Sequence, residues 1–279
     1  MSFLDLWYLK FDLEELHLKT KNEKVKERLA RVIQKAHEQT NDQVFYKITS
    51  NNLGKFLINE QLPLVYHPIN VEESMEMINI FLEGYKSTLQ PDRKLFVDRY
   101  QVVDVALKVV GVGSVGTRCL VALMINDDNE PLFLQVKEAR QSVLEPFTNP
   151  NPYRHQGERV VQGQRLIQAA SDIFLGWTTG PAGRYFYFRQ LRDKKISANI
   201  DTMDKFLLTQ YARLCGRVLA RAHCKTGQGP FICGYIGKRK IFIDAICKFA
   251  SAYADQTEKD YEDFMKAIKL GKLAVQPDK

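Results

Sequence analysis

The chain has 279 residues, of which 45% are hydrophobic and 26% charged, and a formal net charge of +7. That length buries a full core without crosslinks, and that apolar content excludes a disordered chain. Five cysteines, odd in number and with no C-x-x-C pair, suggest neither a disulfide framework nor a zinc site, and the scattered histidines give no metal-ligand spacing.

In chain order, residues 5–39 read as a long helix, with Leu6, Leu9, Leu13 and Leu16 at helical spacing and Ser2 and Asp5 available for a capping box. The same first residues carry acids and no basic region or cleavage site, so no secretory signal is expected. Residues 41–70 read as short strands and loops. A second amphipathic helix is expected over 72–89, with Pro91 marking its end. From Val102 the chain turns β-branched and apolar, predicting two strands flanking Gly111–Gly116 and a third at Leu132–Val136. A helix is expected next at about 154–170, then a hairpin of Phe174–Trp177 and Arg184–Leu191, and residues 202–225 and 240–268 are helical by pattern. The longest uncharged apolar run, Cys119–Ile125, is far short of the roughly 18 residues of a membrane span. A cytoplasmic protein with no membrane partner is the expectation.

Residues 131–195 hold ten Lys and Arg against five Asp and Glu, which concentrates positive potential mid-chain and favours phosphate-bearing ligands. The sharpest motif there is Gly111-Val-Gly113-Ser114-Val-Gly116, a G-x-G-x-x-G directly after an apolar strand. Glycines in such a run let backbone amides approach phosphate oxygens. Two functional readings compete, beside a turn that needs glycine only for its shape. A dinucleotide-binding fold requires a helix after the last glycine, and Glu138, 22 residues past Gly116, is near the place of its ribose-binding acid. A kinase-type loop requires a strand there.

Lys137, at the end of the strand Leu132–Lys137, and Glu158, 21 residues later on a helix, repeat the kinase lysine and its helix-borne glutamate. The ammonium would neutralise phosphate oxygens and the carboxylate would hold it in place; a strand-end lysine that reaches solvent, and a surface pair of Glu158 with Arg154 at i and i+4, are the competing readings. Phe174–Trp177 and Tyr185–Asp193, with Gln190, could supply the remaining strands and a hinge to meet an adenine, and the aromatic alternation fits an ordinary buried strand equally well. Asp244 could mimic a metal-binding acid, although a polar position on a helix that begins there is the stronger reading, because Ala245–Tyr253 continues as helix.

The strings VVGVGSVGTR, FLQVKEARQSVLEP, GERVVQGQRLIQAASDIFLGW, RQLRD and YADQTEKDY resemble the bacterial family called domain of unknown function 2252, over nearly the whole chain. The resemblance implies a relationship to protein kinases and aminoglycoside phosphotransferases with permuted order. It also implies that a Gly-Asp-x-His-x-x-Asn segment and an Asn-Asp-Phe-Asp segment precede the part seen here. Gln135 departs from the kinase pattern, standing where a kinase strand has the alanine that covers adenine.

The expected fold is α+β: a helical part (1–99), a kinase-like nucleotide lobe of antiparallel sheet plus one helix (100–195), and a helical part (196–279). The expected ligand is ATP or a related nucleotide, bound by Gly111, Gly113, Ser114, Gly116, Lys137, Glu158 and Gln190. Mg2+ is expected only with the missing segment, supplied in cis or by a partner chain. Nucleic acid is not an expected partner. An inactive interaction module and a dinucleotide-binding oxidoreductase component are the alternatives.

Overall fold

A computed structural model describes residues 23, 26, 27, 30, 34, 41–52, 55–111, 116–191, 200–237 and 240–275. The helix expected over 5–39 therefore lies almost wholly outside the described residues, and the few within them are helical. The protein is α+β and forms two compact units, residues 1–225 and 226–279.

The larger unit is built on a six-stranded antiparallel sheet. Its strands are β3 (Val65–Tyr66), β4 (Tyr100–Lys108), β5 (Cys119–Asn126), β6 (Pro131–Glu138), β7 (Gly176–Thr179) and β8 (Tyr185–Gln190), in the order β3-β4-β5-β6-β8-β7. A separate hairpin, β1 (Thr49–Asn52) with β2 (Lys55–Ile58), precedes it. Strands β4, β5 and β6 are rich in Val, Leu and Ile, which suit a pleated surface buried on both sides.

One sheet face carries Met124, Leu132, Leu134, Val136, Phe186 and Phe188 and is covered by helix α2 (Met75–Lys86). Tyr85 of α2 is fully buried, stacks on Phe188 at 4.0 Å and donates its hydroxyl hydrogen bond to the Phe174 carbonyl at 2.9 Å. Burial of each such ring stabilises the fold by roughly 2 kcal/mol. Burial pushes the Tyr85 hydroxyl far above its ordinary range, with Asp172 adding to the shift, so it stays a neutral donor. Helix α2 ends at Lys86, and Pro91 opens the next helix, α3 (Pro91–Val97), instead of merely closing the previous one. Proline fits the first helical position because its missing N–H has no intrahelical partner there.

The opposite face is shared. Helix α1 (Asn41–Ile48) and the β1–β2 hairpin cover the Phe133 end, through Phe45, Ile58, Val121, Leu123 and Phe133. Sequence patterning placed only strands and loops at 41–48. The run Val-Phe-Tyr-Lys-Ile has strand composition, but burial of Phe45 against Phe56 and Phe133 favours a helix. Helix α4 (Gln156–Ile167) covers the β7–β8 end of this face, with His155 against Tyr185 and Arg165 over Trp177.

Next in the chain is helix α5 (Lys205–His223), capped by the Asp204 side chain, which accepts from the Leu207 N–H at 2.8 Å. The second unit contains α6 (Gly229–Ile236), which sequence patterning missed, and the 29-residue α7 (Ile241–Lys269). Asp244 falls in the first turn of α7, as the helical pattern required. Helix α7 has Ile241, Ile243, Ile246, Phe249 and Tyr253 exposed.

Candidate functional site

Gly111 and Gly116 bracket the connection between β4 and β5; Gly113 and Ser114 lie outside the described residues. Gly116 has φ +76°, a left-handed conformation that glycine adopts without a Cβ penalty. The chain continues from Gly116 into strand β5, antiparallel to β4. A dinucleotide-binding motif needs a helix at that point and a parallel sheet, so the dinucleotide reading of this motif is corrected.

Lys137 lies in a row across the sheet, opposite Cys119 of β5 on one side and Tyr187 of β8 on the other, with Trp177 of β7 beyond. Directly opposed residues in antiparallel strands project to the same face. Lys137 therefore shares its face with α4, between the region covered by α1 and the region covered by α4. It makes no hydrogen bond or ion pair with the described residues. Gln135, on the same face, is buried and donates from Nε2 to the Cys119 sulfur at 3.4 Å. Burial pushes the Cys119 thiol up, which the field of Lys137 and the Gln135 hydrogen bond partly offset.

Glu158 sits in the first turn of α4, where its N–H donates to His155 Nδ1 at 3.2 Å. No ion pair joins its carboxylate to Lys137, nor to Arg154. Among the described residues no ion pair therefore links Lys137 of β6 with Glu158 of α4, the helix that packs on β7 and β8. Gln190, at the end of β8, has its N–H committed to Asp172 Oδ2 at 2.7 Å, so that amide is not open to a base.

The residue that organises this corner is Glu138, whose side chain is 5% exposed. Its Oε2 accepts from the Arg118 N–H (3.1 Å) and from Arg118 Nη1 (3.2 Å), and its Oε1 from Arg140 Nε (3.1 Å). Burial by itself would raise this carboxyl, but the Arg118 amide and the two guanidinium groups outweigh it and hold it below the usual range. Arg140 also donates to the Gly116 carbonyl, and Arg159 of α4 donates to the Arg140 carbonyl at 2.9 Å. Glu138 is thus a clamp that gathers Arg118 and Arg140, and through Arg140 also Arg159, around the end of the glycine connection. Both of its oxygens accept hydrogen bonds within the protein. Sequence patterning missed this clamp. Its signal was the alternation Lys137-Glu138-Ala139-Arg140 at a strand end, which also fits an exposed terminus.

A shallow apolar groove of about 390 Å³, lined in part by Glu76, Met77, Ile80, Phe81 and Thr179, lies between α2 and β7 on the opposite face, away from Lys137. Among the described residues no helix is long and apolar enough to cross a membrane, and no three His, Cys, Asp or Glu side chains gather to hold a metal ion. No curated protein and no solved structure matches the chain. Residues 1–267 match the family described as "Uncharacterized protein conserved in bacteria (DUF2252)", and the chain belongs to that family.

Proposed function

We propose that the chain binds a nucleotide through its phosphates, on the sheet face where the glycine connection ends, with Lys137 as the phosphate ligand. The observation that carries this reading is an ammonium group without a partner among the described residues, one strand from the end of a glycine-bearing connection. In protein kinases the succession is also glycine loop, strand lysine, helix glutamate. The chain repeats that order in Gly111–Gly116, Lys137 and Glu158, and α4 lies on the lysine's face. Arg118 and Arg140 add positive charge beside the loop, held by Glu138.

ATP is the ligand we favour, and magnesium would require acids from a further segment or partner chain. Transfer of a phosphoryl group needs an acid to orient the acceptor and ligands for the metal. Lys137 and Glu158 supply neither, so this chain alone binds ATP without turning it over. A thermal-shift series with ATP and NAD tests the reading. Ligand at about 100 times its dissociation constant stabilises a folded protein by roughly 2.7 kcal/mol. A shift with ATP supports the proposal; a shift with NAD and none with ATP overturns it. An interaction module is the second reading, favoured by the exposed Ile241, Ile246, Phe249 and Tyr253 of α7. It predicts no nucleotide response.

A further inference from the structure

Helices α4 and α5 bring their C-terminal ends together, and two cations are buried there. Arg221, in the last turn of α5, is 4% exposed, and Lys225, just beyond that helix, is 5% exposed. Arg221 Nη1 donates weakly to the Ile167 carbonyl at 3.5 Å, and Lys225 Nζ donates to the Gln168 carbonyl at 2.9 Å. A helix C-terminus carries roughly half a negative elementary charge, so the end of α4 offsets only part of the guanidinium charge. Among the described residues Arg221 makes no ion pair to an acid.

The remaining donors are specific. Arg221 Nε and Nη2 are both buried and, among the described residues, without a hydrogen-bond partner. In a guanidinium group the Nε–H and the Nη2–H point the same way and form one edge of the fork, the edge that takes two oxygens of an oxyanion in parallel. Nη1, the atom that is bonded, lies outside that edge. A buried arginine is ordinarily satisfied on all sides, because unmet donors in a low-dielectric site are costly. Burial, and then the neighbouring guanidinium, push Lys225 below the usual lysine range, as expected for two cations confined together.

We propose that the junction of the α4 and α5 C-terminal ends is a phosphate-binding site, in which two oxygens of a phosphate group accept from Arg221 Nε and Nη2 and Lys225 contributes its charge. A phosphate group, rather than a carboxylate, suits the charge: at neutral pH it approaches two negative charges, against one for a carboxylate. The site uses none of the residues read as nucleotide ligands and does not depend on that reading.

The test uses the full chain at constant ionic strength set with chloride, and inorganic phosphate as the probe, measured by calorimetry and 31P line broadening. Saturable binding is expected in the wild type, weakened at least tenfold in Arg221→Gln. Arg221→Lys keeps the charge and loses the fork, and is expected to weaken binding several-fold, so it decides the matter if Arg221→Gln fails to fold. AMP binding that is tighter than inorganic phosphate and lost in Arg221→Gln would assign the site to phosphate esters; weaker AMP binding would assign it to the free ion. Absence of saturable binding, wild-type affinity in both Arg221 variants, or acetate competing as well as phosphate would overturn the proposal.

Discussion

His67 Nε2 stands 2.9 Å from Asp104 Oδ2, at the point where the register of β4 against β5 slips between Val102 and Asp104. The irregularity turns a carboxylate, 2% exposed, into the protein, where it also accepts from the Ile58 N–H at 2.6 Å and the Val105 N–H at 2.8 Å. Asp104 thus fastens the β1–β2 hairpin to the main sheet. Replacing it with alanine leaves buried donors unmet, and the expected loss is about 3 kcal/mol. Urea unfolding measures it; a loss below about 1 kcal/mol would mean that water or a neighbour satisfies those donors.

The other nitrogen of His67, Nδ1, lies 2.8 Å from Glu60 Oε1. Burial works against the imidazolium, but the hydrogen bonds to Asp104 and Glu60, with the fields of both carboxylates, outweigh it and raise the His67 pKa above its ordinary value. A proton held more tightly in the folded state stabilises fully below the unfolded value near 6.5, and that stability is lost as pH rises through the higher folded value. Glu60 is shifted downward, chiefly by its hydrogen bonds with His67, so its contribution is present above the unfolded value and lost as pH falls through the lower folded one. The urea midpoint is therefore expected to decline from about pH 6.5 upward in the wild type. In His67→Gln that alkaline decline should flatten, and an unchanged slope would contradict the assignment.

Much of the sheet was legible because long β-branched and apolar runs, such as those of β4, β5 and β6, have few alternatives once bounded by glycine and turn residues. Helix α4 was legible from its apolar spacing. The 41–48 helix was not, because its composition favours a strand and only tertiary burial of Phe45 reverses it. Within the site, the place of Lys137 at a strand end was legible from the apolar run Leu132–Val136 that precedes it. The role of Glu138 was not, since its partner Arg118 is 20 residues away and the pairing exists only once β5 and β6 are in register. Nothing in the sequence marks Arg221 as buried; its burial depends on the fold and not on its helical position.

Two glycines near the site should respond differently to alanine. At Gly157, the second residue of α4, an added Cβ would meet the backbone carbonyl of Phe186 and the His155 ring, and backbone cannot swing aside. Gly157→Ala is expected to cost about 1–3 kcal/mol through overpacking and to displace α4 from β8. At Gly116 the space is open but φ is +76°, so Gly116→Ala should cost about 1 kcal/mol from backbone strain alone. Denaturant midpoints of the two variants without ligand give the comparison, and a larger loss in Gly116→Ala than in Gly157→Ala would contradict it.

The most direct measurement is calorimetric titration of ATP into the wild-type chain and into Lys137→Ala. Lys137 has no partner among the described residues to lose, so the variant should fold as the wild type does. A hydrogen bond to a charged group contributes about 1.5–3 kcal/mol, and removing the ammonium should weaken ATP binding by at least about tenfold. Saturable ATP binding in the wild type with that loss in Lys137→Ala is the predicted result; equal affinity in the two chains, or no ATP binding by either, would contradict the proposal that Lys137 holds a nucleotide phosphate.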